Sequence, residues 1–381
     1  MRVLIIITIT MLLLVGVTAY CQEKVVEKDE FSLSSKGKSY LEIRTPQNLS
    51  CDISIETHDS KTVELDYRKW AKAKSSAQGK RFIDLIEIQF NEKTRDPEGI
   101  LLKVLSPTRS PWEGSNYGVG VQFDIIVPKN FKINSHNSYS SLDLFGPFDG
   151  IEVFNEYGSI EVNDVKGELI IKASHTKVEL SRIEGFISVE SRNAEISGED
   201  IIITNGPGIF ETSHGSINLE NIQGSIEAHT SYSPVIVSDI NAGAGSVILT
   251  TTYGPINAEN VKGELVCETS YGPIELKEIY LTHGMNRIET KHAPVNILLE
   301  SIEESQLLIN NIYSSINVVL NANISAKLML SVDEGGKIHT RGFPIKPLTM
   351  DYNRLVGIIG EGLSRIELNV EGIGEINIDG E

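Results

Sequence analysis

The most regular feature of the chain is an alternation of aliphatic and polar residues that recurs every 18 or 21 residues. One phrase appears in ten variants, from NSYSSLDL (137–144) to NIYSSINV (311–318). The third residue of each variant is called the marker, and the markers are Tyr139, Tyr157, His175, Asn193, His214, Tyr232, Tyr253, Tyr271, His292 and Tyr313. Leu, Ile or Val stands three residues after every marker, and the next residue is polar in nine variants. Because alternate residues of a strand face opposite sides, each phrase predicts a strand with one buried face.

A second strand is predicted just before each marker. Residues six and four positions before the marker are apolar in most variants, as Leu169 and Ile171 illustrate. Cys267 occupies one of these positions, so we expect it in the core rather than as a reactive thiol. The residue directly after the marker is small in all ten variants, which is typical of a tight corner between two strands.

One repeat of this size buries too few side chains to fold alone, so the repeats must stack on one another. The pattern therefore predicts an all-β chain, and more specifically a single-stranded β-solenoid with coils of 18–21 residues. We expect a right-handed parallel β-helix, since strand twist favours that hand. The three extra residues of the longer coils fall near 204–208, 241–245, 282–286 and 303–306, where they lengthen a surface loop.

The regular period covers residues 134–325 and is flanked by less regular segments. Residues 22–133 are predicted to form a β-rich cap with one short helix, and residues 326–381 to form C-terminal coils and a second cap. The helix-permissive stretch runs from Trp70 to Leu85. It overlaps a basic cluster, which we expect on a solvated helix face or in a partner-docking patch. The cluster consists of Arg68, Lys69, Lys72, Lys74, Lys80 and Arg81.

The first residues carry an export signal. An apolar run spans residues 3–17, and small residues then permit cleavage after Ala19 or Cys21, so residues 1–21 are predicted to be a secretory signal peptide. A lipid anchor on Cys21 is not expected, because lipoprotein processing requires a small residue where Tyr20 stands. No later stretch is apolar enough to predict a transmembrane segment. We therefore expect an exported protein in the periplasm, at the cell surface or outside the cell.

The charge balance limits the classes of partner that we expect. The sequence has 34 Lys and Arg residues against 52 Asp and Glu residues, a net charge of −18. Removal of the signal peptide removes Arg2 alone and leaves 33 against 52, a net charge of −19. Such a surface repels nucleic acid and anionic lipid, so neither is expected as a partner. Beyond Cys21 only Cys51 and Cys267 remain, and two such distant thiols do not make a disulfide framework.

The repeats resemble the bacterial β-solenoid domains labelled putative adhesins, a family of unknown function related to the auto-transporter adhesin head domain. The resemblance rests on Val127-Pro128-Lys129 before the first repeat, on the repeated small-polar, Gly, Ile-x-Val unit, and on the closing GEGLSRIEL (360–368). It covers roughly residues 38–380 and implies the solenoid fold, whereas adhesion is implied by the family label alone. The family pattern has Asn before the corner Gly; among the markers of this chain only Asn193 keeps it.

The marker row is the most conspicuous candidate site. Stacked along one edge, its rings are interpreted either as a structural corner ladder or as an aromatic strip that binds a glycan. The candidate residues are Tyr139, Tyr157, His175, His214, Tyr232, Tyr253, Tyr271, His292 and Tyr313. A zinc site in this row is not expected, because His175 and His214 are two coils apart, about 10 Å at the strand spacing.

A second candidate is an acidic row. Asp143, Glu161 and Glu179 stand four residues after consecutive markers, so their carboxylates are expected on one face. The row is interpreted as a solvated acidic edge or, alternatively, as a calcium site. No other metal or cofactor is expected from the sequence.

No motif in the sequence indicates catalysis, since Ser-His-Asp order, a phosphate-binding Gly-Lys loop and His-Glu-x-x-His are not found. We therefore expect a non-catalytic exported protein that presents a rigid repeat surface to a glycan or to an envelope or surface protein. Two alternatives stay open. One is a polysaccharide-active lyase or hydrolase-like enzyme that uses the acidic row, and the other is a periplasmic component of an envelope-stress signalling system.

Overall fold

A computed structural model describes residues 23–94, 96–113 and 116–381. The described residues form 26 β-strands and one α-helix, which confirms the prediction of an all-β chain with one short helix near the N-terminus. The predicted signal peptide (1–21), including Cys21, lies outside the described residues. No helix in the described part of the chain is long and apolar enough to cross a membrane.

The strands before the regular repeats form a mixture of parallel and antiparallel pairs. They are β1 (Glu23–Ser34), β2 (Tyr40–Arg44), β3 (Ser50–His58), β4 (Thr62–Ala73), α1 (Ser76–Ile83), β5 (Glu87–Glu92), β6 (Gly99–Leu105), β7 (Gly118–Pro128) and β8 (Lys132–His136). Strand β7 pairs in parallel with β3, whereas β4 pairs antiparallel with β7, and β1 antiparallel with β4.

The repeats themselves form a long series of strands. They are β9 (Ser140–Ser191), β10 (Ile196–Ile203), β11 (Gly208–Thr212), β12 (Ile217–Gln223), β13 (Ile226–His229), β14 (Val235–Thr250), β15 (Ile256–Glu268), β16 (Ile274–Leu281), β17 (Met285–Thr290), β18 (Val295–Ile302), β19 (Gln306–Asn311) and β20 (Ile316–Leu320). Each repeat pairs in parallel with the next, in the register that the sequence period predicts. Ile196, for example, pairs with Val178 on one side and with Ile217 on the other, at intervals of 18 and 21 residues.

The alternation of apolar and polar residues determines which side chains enter the core. Aliphatic residues three positions after the marker, such as Ile160, Ile217 and Ile256, are at most 1% exposed. Cys51 and Cys267 are free thiols that are fully buried among them, which confirms the prediction for Cys267. Burial raises the pKa of both thiols, so they behave as small apolar side chains.

The helix is shorter than predicted, and only Lys80 and Arg81 of the basic cluster lie on it, both exposed. The prediction is wrong for Arg68, Lys69 and Lys72, which lie on β4. The alternation of buried and exposed residues continues through Trp70 to Ala73, which extends β4, and the helix begins only at Ser76 after the N-cap Ser75. Lys69 is buried on β4, with its ammonium 3.7 Å from a carboxylate oxygen of Glu27. The sequence pattern does not predict β1, which supplies that carboxylate and covers the end of the sheet.

The C-terminal strands do not pair in the order in which they occur in the sequence. They are β21 (Ala326–Val332), β22 (Lys337–Arg341), β23 (Lys346–Asp351), β24 (Arg354–Ile359), β25 (Ser364–Val370) and β26 (Glu375–Gly380). Strand β25 pairs in parallel with β19 and with β21, and β26 pairs in the same way with β20 and β22. The last segment of the chain is therefore inserted between two earlier ones. Antiparallel strands β23 and β24 follow beyond β21.

A pair of isoleucine substitutions tests the inward and outward assignment. Ile217 is fully buried, so Ile217→Ala is expected to destabilise the protein by about 2–5 kcal/mol through the lost burial and the cavity. Ile236, at the outward position of the next repeat, is 41% exposed, and Ile236→Ala should change stability by no more than about 0.5 kcal/mol. Urea unfolding of both variants measures the difference, and equal losses would contradict the assignment.

Candidate binding surface along the aromatic ladder

The marker side chains stack on one another in a line, which we call the aromatic ladder. Its first segment is Tyr139, Tyr157 and His175, with ring centroids 4.8 Å apart at both steps and interplanar angles of 5° and 9°. Its second segment has centroid distances of 4.7–5.2 Å. That segment contains His214, Tyr232, Tyr253, Tyr271, His292 and Tyr313. All nine candidate residues thus belong to the ladder.

Parallel register explains why the rings meet. Equivalent positions of successive repeats lie above one another at the strand spacing of about 4.7–4.9 Å, close to the stacking distance of two rings. Tyr139 and Tyr157 are themselves joined by a parallel β-bridge. A ring at the same position of each repeat therefore stacks without any adjustment of the backbone.

Asn193 is the marker that lies between the two segments of the aromatic ladder, and it has no ring; each marker position is called a rung. Its side-chain nitrogen lies 3.0 Å from Nε2 of His175, so an amide hydrogen bond replaces the ring contact at this step. His175 and His214 lie on opposite sides of this rung. Within the described residues no group of three or more His, Cys, Asp and Glu side chains is placed to hold a metal ion.

A buried polar side chain lies beneath eight of the ten corners and bonds to the corner of the preceding repeat; we call this arrangement the corner clamp. Thr251 is 3% exposed, and its hydroxyl donates a hydrogen bond of 3.2 Å to the carbonyl oxygen of Ser233 in the preceding repeat. The hydroxyl oxygen of Thr251 in turn accepts a hydrogen bond of 3.2 Å from the backbone N–H of Gly254, directly after the marker Tyr253. The clamp therefore joins two successive corners and satisfies buried backbone groups.

The corner clamp recurs along the ladder, always two residues before the marker. Thr212, Thr269 and Asn311 make both hydrogen bonds, at distances of 2.9–3.3 Å. Four further residues donate a hydrogen bond to the corner of the preceding repeat: Asn155, Ser191, Thr230 and Thr290. The sequence signal is a Thr, Asn or Ser at this position, which the search for apolar periodicity did not detect.

Ring stacking leaves edges rather than faces at the surface. The six tyrosines of the ladder are 39–59% exposed, yet each inner ring has a neighbour on both faces. A sugar that packs on an aromatic residue needs an open ring face. The inner part of the ladder therefore offers a strip of hydroxyl groups and ring edges, and an open face remains only where the row ends or is interrupted.

The acidic row lies on β9, on the outward side of the strand, as predicted. Partial burial raises the pKa of Asp143, and burial together with the charge of Asp143 raises the pKa of Asp52. Asp52 thus belongs to this acidic surface although it lies far away in sequence, outside the period. Glu179 is engaged with Lys177, whose ammonium lies 2.5 Å from a carboxylate oxygen.

A groove of 450 Å³ runs beside the acidic row, and its lining includes Glu161, Glu179 and Gly198. Gly198 stands where the other repeats have an apolar residue, and a Cβ atom there would lie only 2.8 Å from Cδ1 of Ile201. The neighbouring isoleucine thus fills the core space that Gly198 leaves. Asp143 and Asp52, the carboxyl groups with raised pKa, do not line this groove.

Comparison with known proteins gives structural neighbours only. No protein-family model matches the chain, and no curated protein matches it. A putative cell adhesion protein from Clostridium sporogenes is 9% identical, with a TM-score of 0.19 over 94% of this chain and 100% of that chain. A putative adhesin from Parabacteroides distasonis is 10% identical, with a TM-score of 0.23 over 92% of this chain and 97% of that chain. Both names agree with the resemblance drawn from the sequence; similarity at this level adds nothing about function.

Removal of one clamp hydroxyl tests whether the corner depends on it. Thr251→Val keeps the shape of the side chain but leaves the carbonyl of Ser233 and the N–H of Gly254 without this partner. We expect a loss of about 1–3 kcal/mol in the free energy of unfolding. Thr252→Val, at the exposed next residue, is the matched control and should be nearly neutral. A neutral Thr251→Val would show that the clamp does not stabilise the corner.

The pH dependence of stability tests the environment of Asp143. Because its pKa is raised in the folded state, its ionisation disfavours folding, and stability falls as the pH rises from the ordinary aspartate pKa of about 3.9 through the raised value. Asp143→Asn should therefore raise the melting temperature at pH 7. The gain should disappear at pH 3, where the carboxyl group is protonated in both states. A gain that is the same at both pH values would exclude ionisation as its cause.

Proposed function

We propose that this chain is an exported, non-catalytic β-solenoid that presents the aromatic ladder to a glycan or a protein of the bacterial envelope or cell surface. The single observation behind the proposal is the ladder itself. Nine half-exposed or partly exposed rings lie along one edge, and buried corner clamps fix the positions of seven of them. An ordered surface of this length is expected to serve contact with an extended partner.

Strand register supports the solenoid assignment. Residues at equivalent positions pair in parallel from one repeat to the next across eight strands, at intervals of 18 or 21 residues. Antiparallel strands at both ends interrupt the parallel series and so limit edge-to-edge association. The right-handed sense remains a prediction from strand twist.

Rigid tyrosines suit a binding surface. A tyrosine offers a large contact area and a hydrogen-bonding hydroxyl at a small cost in conformational entropy. Stacking on both sides reduces that cost further, because the rings of the ladder are already ordered before a partner arrives. The net charge of −18 favours partners that are neutral or basic over nucleic acid or anionic lipid.

One observation favours the enzymatic alternative. Carboxyl groups with raised pKa are frequent in catalytic sites, and Asp143 and Asp52 form such a pair. The groove nearby is lined by Glu161 and Glu179 instead, so the perturbed carboxyl groups and the concave surface do not coincide. For this reason we propose binding rather than catalysis.

Removal of the hydroxyl groups from the middle of the ladder tests the proposal. The triple variant Tyr232→Phe, Tyr253→Phe and Tyr271→Phe keeps the stacked rings and removes only the hydroxyls. Binding to a glycan array and to envelope proteins of the producing bacterium is expected to weaken at least about tenfold. Tyr352→Phe is the control, because Tyr352 is 84% exposed and outside the ladder. Unchanged binding by the triple variant would reject the ladder as the contact surface, and hydrolysis or elimination of an acidic polysaccharide that is lost in Glu161→Gln would establish the enzyme instead.

A further inference from the structure

The row of markers continues below Tyr139 into the N-terminal strands, but without rings. The backbone N–H of Cys51 donates to the carbonyl oxygen of Tyr139, which places Ser50 at the next rung. Ser50 pairs in turn with Gly120. Two rungs in succession therefore have small residues, and Tyr139 has a stacked ring, Tyr157, on one face only.

A pocket of 440 Å³ opens at this end of the ladder. Its volume lies within the range of about 300–1,000 Å³ that small-molecule sites occupy. Ser50, Tyr139 and Trp112 contribute to its wall. The remaining lining residues are Gln47, Asn48, Glu113, Ser140, Ser141, Tyr157 and Gly158. The pocket thus combines two tyrosine rings with a rim of short polar groups.

The wall opposite the ladder is held in place by Asn48. Its side-chain nitrogen donates to the carbonyl oxygen of Pro107 and to the hydroxyl of Ser110, both at 2.7 Å, and its side-chain oxygen accepts a hydrogen bond of 2.5 Å from Ser106. The indole N–H of Trp112 donates to the backbone oxygen of Asn48 at 3.3 Å. The pocket is therefore formed before any ligand binds.

The chemistry of the lining selects a ligand class. An open aromatic face packs well on the apolar face of a sugar ring, and an amide and a carboxylate at the rim can accept and donate hydrogen bonds with its hydroxyls. Gln47 and Glu113 provide these groups, and both are exposed. Glu113 is the one charged residue among the described residues of the lining, and because its carboxylate is negative, it would repel an acidic sugar.

We infer that this pocket is a saccharide subsite that takes a neutral hexopyranose ring, stacked on the outer face of Tyr139. The inference rests on the proposed function, because it places a specific glycan contact at one end of the proposed binding surface. A sugar ring at this position would explain why the ladder stops at Tyr139, although the strand register continues through Ser50 and Gly120. A ring at Ser50 would fill the space that the sugar ring is inferred to occupy.

The test is to complete the ladder with a protein ring. Methyl glycosides of glucose, galactose and mannose are the probes, and saturation-transfer difference NMR on the mature protein detects them. At least one glycoside is expected to bind, and Ser50→Tyr is expected to weaken that binding at least about tenfold without loss of melting temperature, because the new ring stacks on Tyr139. Ser54→Tyr, on the same face of β3 but outside the pocket lining, is the matched control and should bind as the wild type does.

Three results would overturn the inference. The wild-type protein could show no saturation transfer with any neutral glycoside, it could bind acidic glycosides only, or Ser50→Tyr could bind as the wild type does. The proposed function is tested separately, since the Tyr232, Tyr253 and Tyr271 triple variant leaves the pocket intact. Partner binding that is lost in the triple variant, together with methyl glycoside binding that is unchanged in Ser50→Tyr, would retain the binding function and reject the saccharide subsite.

Discussion

The corner clamp is the interaction on which the rest of the surface depends. At each corner the backbone turns away from the strand pairing, so its carbonyl and N–H groups need other partners inside the protein. A buried Thr or Asn such as Thr251 or Asn311 provides both, bonding to the corner of the preceding repeat and to its own. Because the clamp fixes the corner, it fixes the marker residue, and the rings stack as a consequence.

The regular part of the fold could be predicted from sequence because its information is local and repeated. The position three residues after each marker is aliphatic throughout, and the structure pairs these residues in the expected register, as Ile256 with Ile274. The clamp also has a sequence signal, a Thr, Asn or Ser two residues before the marker, with Ala173 as the exception. Periodicity of apolar residues does not reveal it, because a buried Thr or Asn looks polar in such a pattern.

The strand pairing at the two ends could not be predicted, for a different physical reason. Their strands pair with segments distant in sequence, and one of several compatible pairings is selected by contacts that no local pattern shows. Lys69 illustrates this, since its place on β4 depends on β1 and Glu27. The position of Ser50 beneath Tyr139 has the same origin, so the open end of the ladder became visible only in the structure.

Native-state hydrogen exchange of the corner amides measures the clamp most directly. The N–H groups of Gly215, Gly254 and Gly272 are each bonded to a buried threonine hydroxyl, at 3.1–3.2 Å. If the clamps hold the corners, these amides exchange as slowly as the strand amide of Ile256, which bonds to Pro273. Corner amides that exchange rapidly while the strand amides stay protected would contradict the account, because the ladder would then stand on mobile corners.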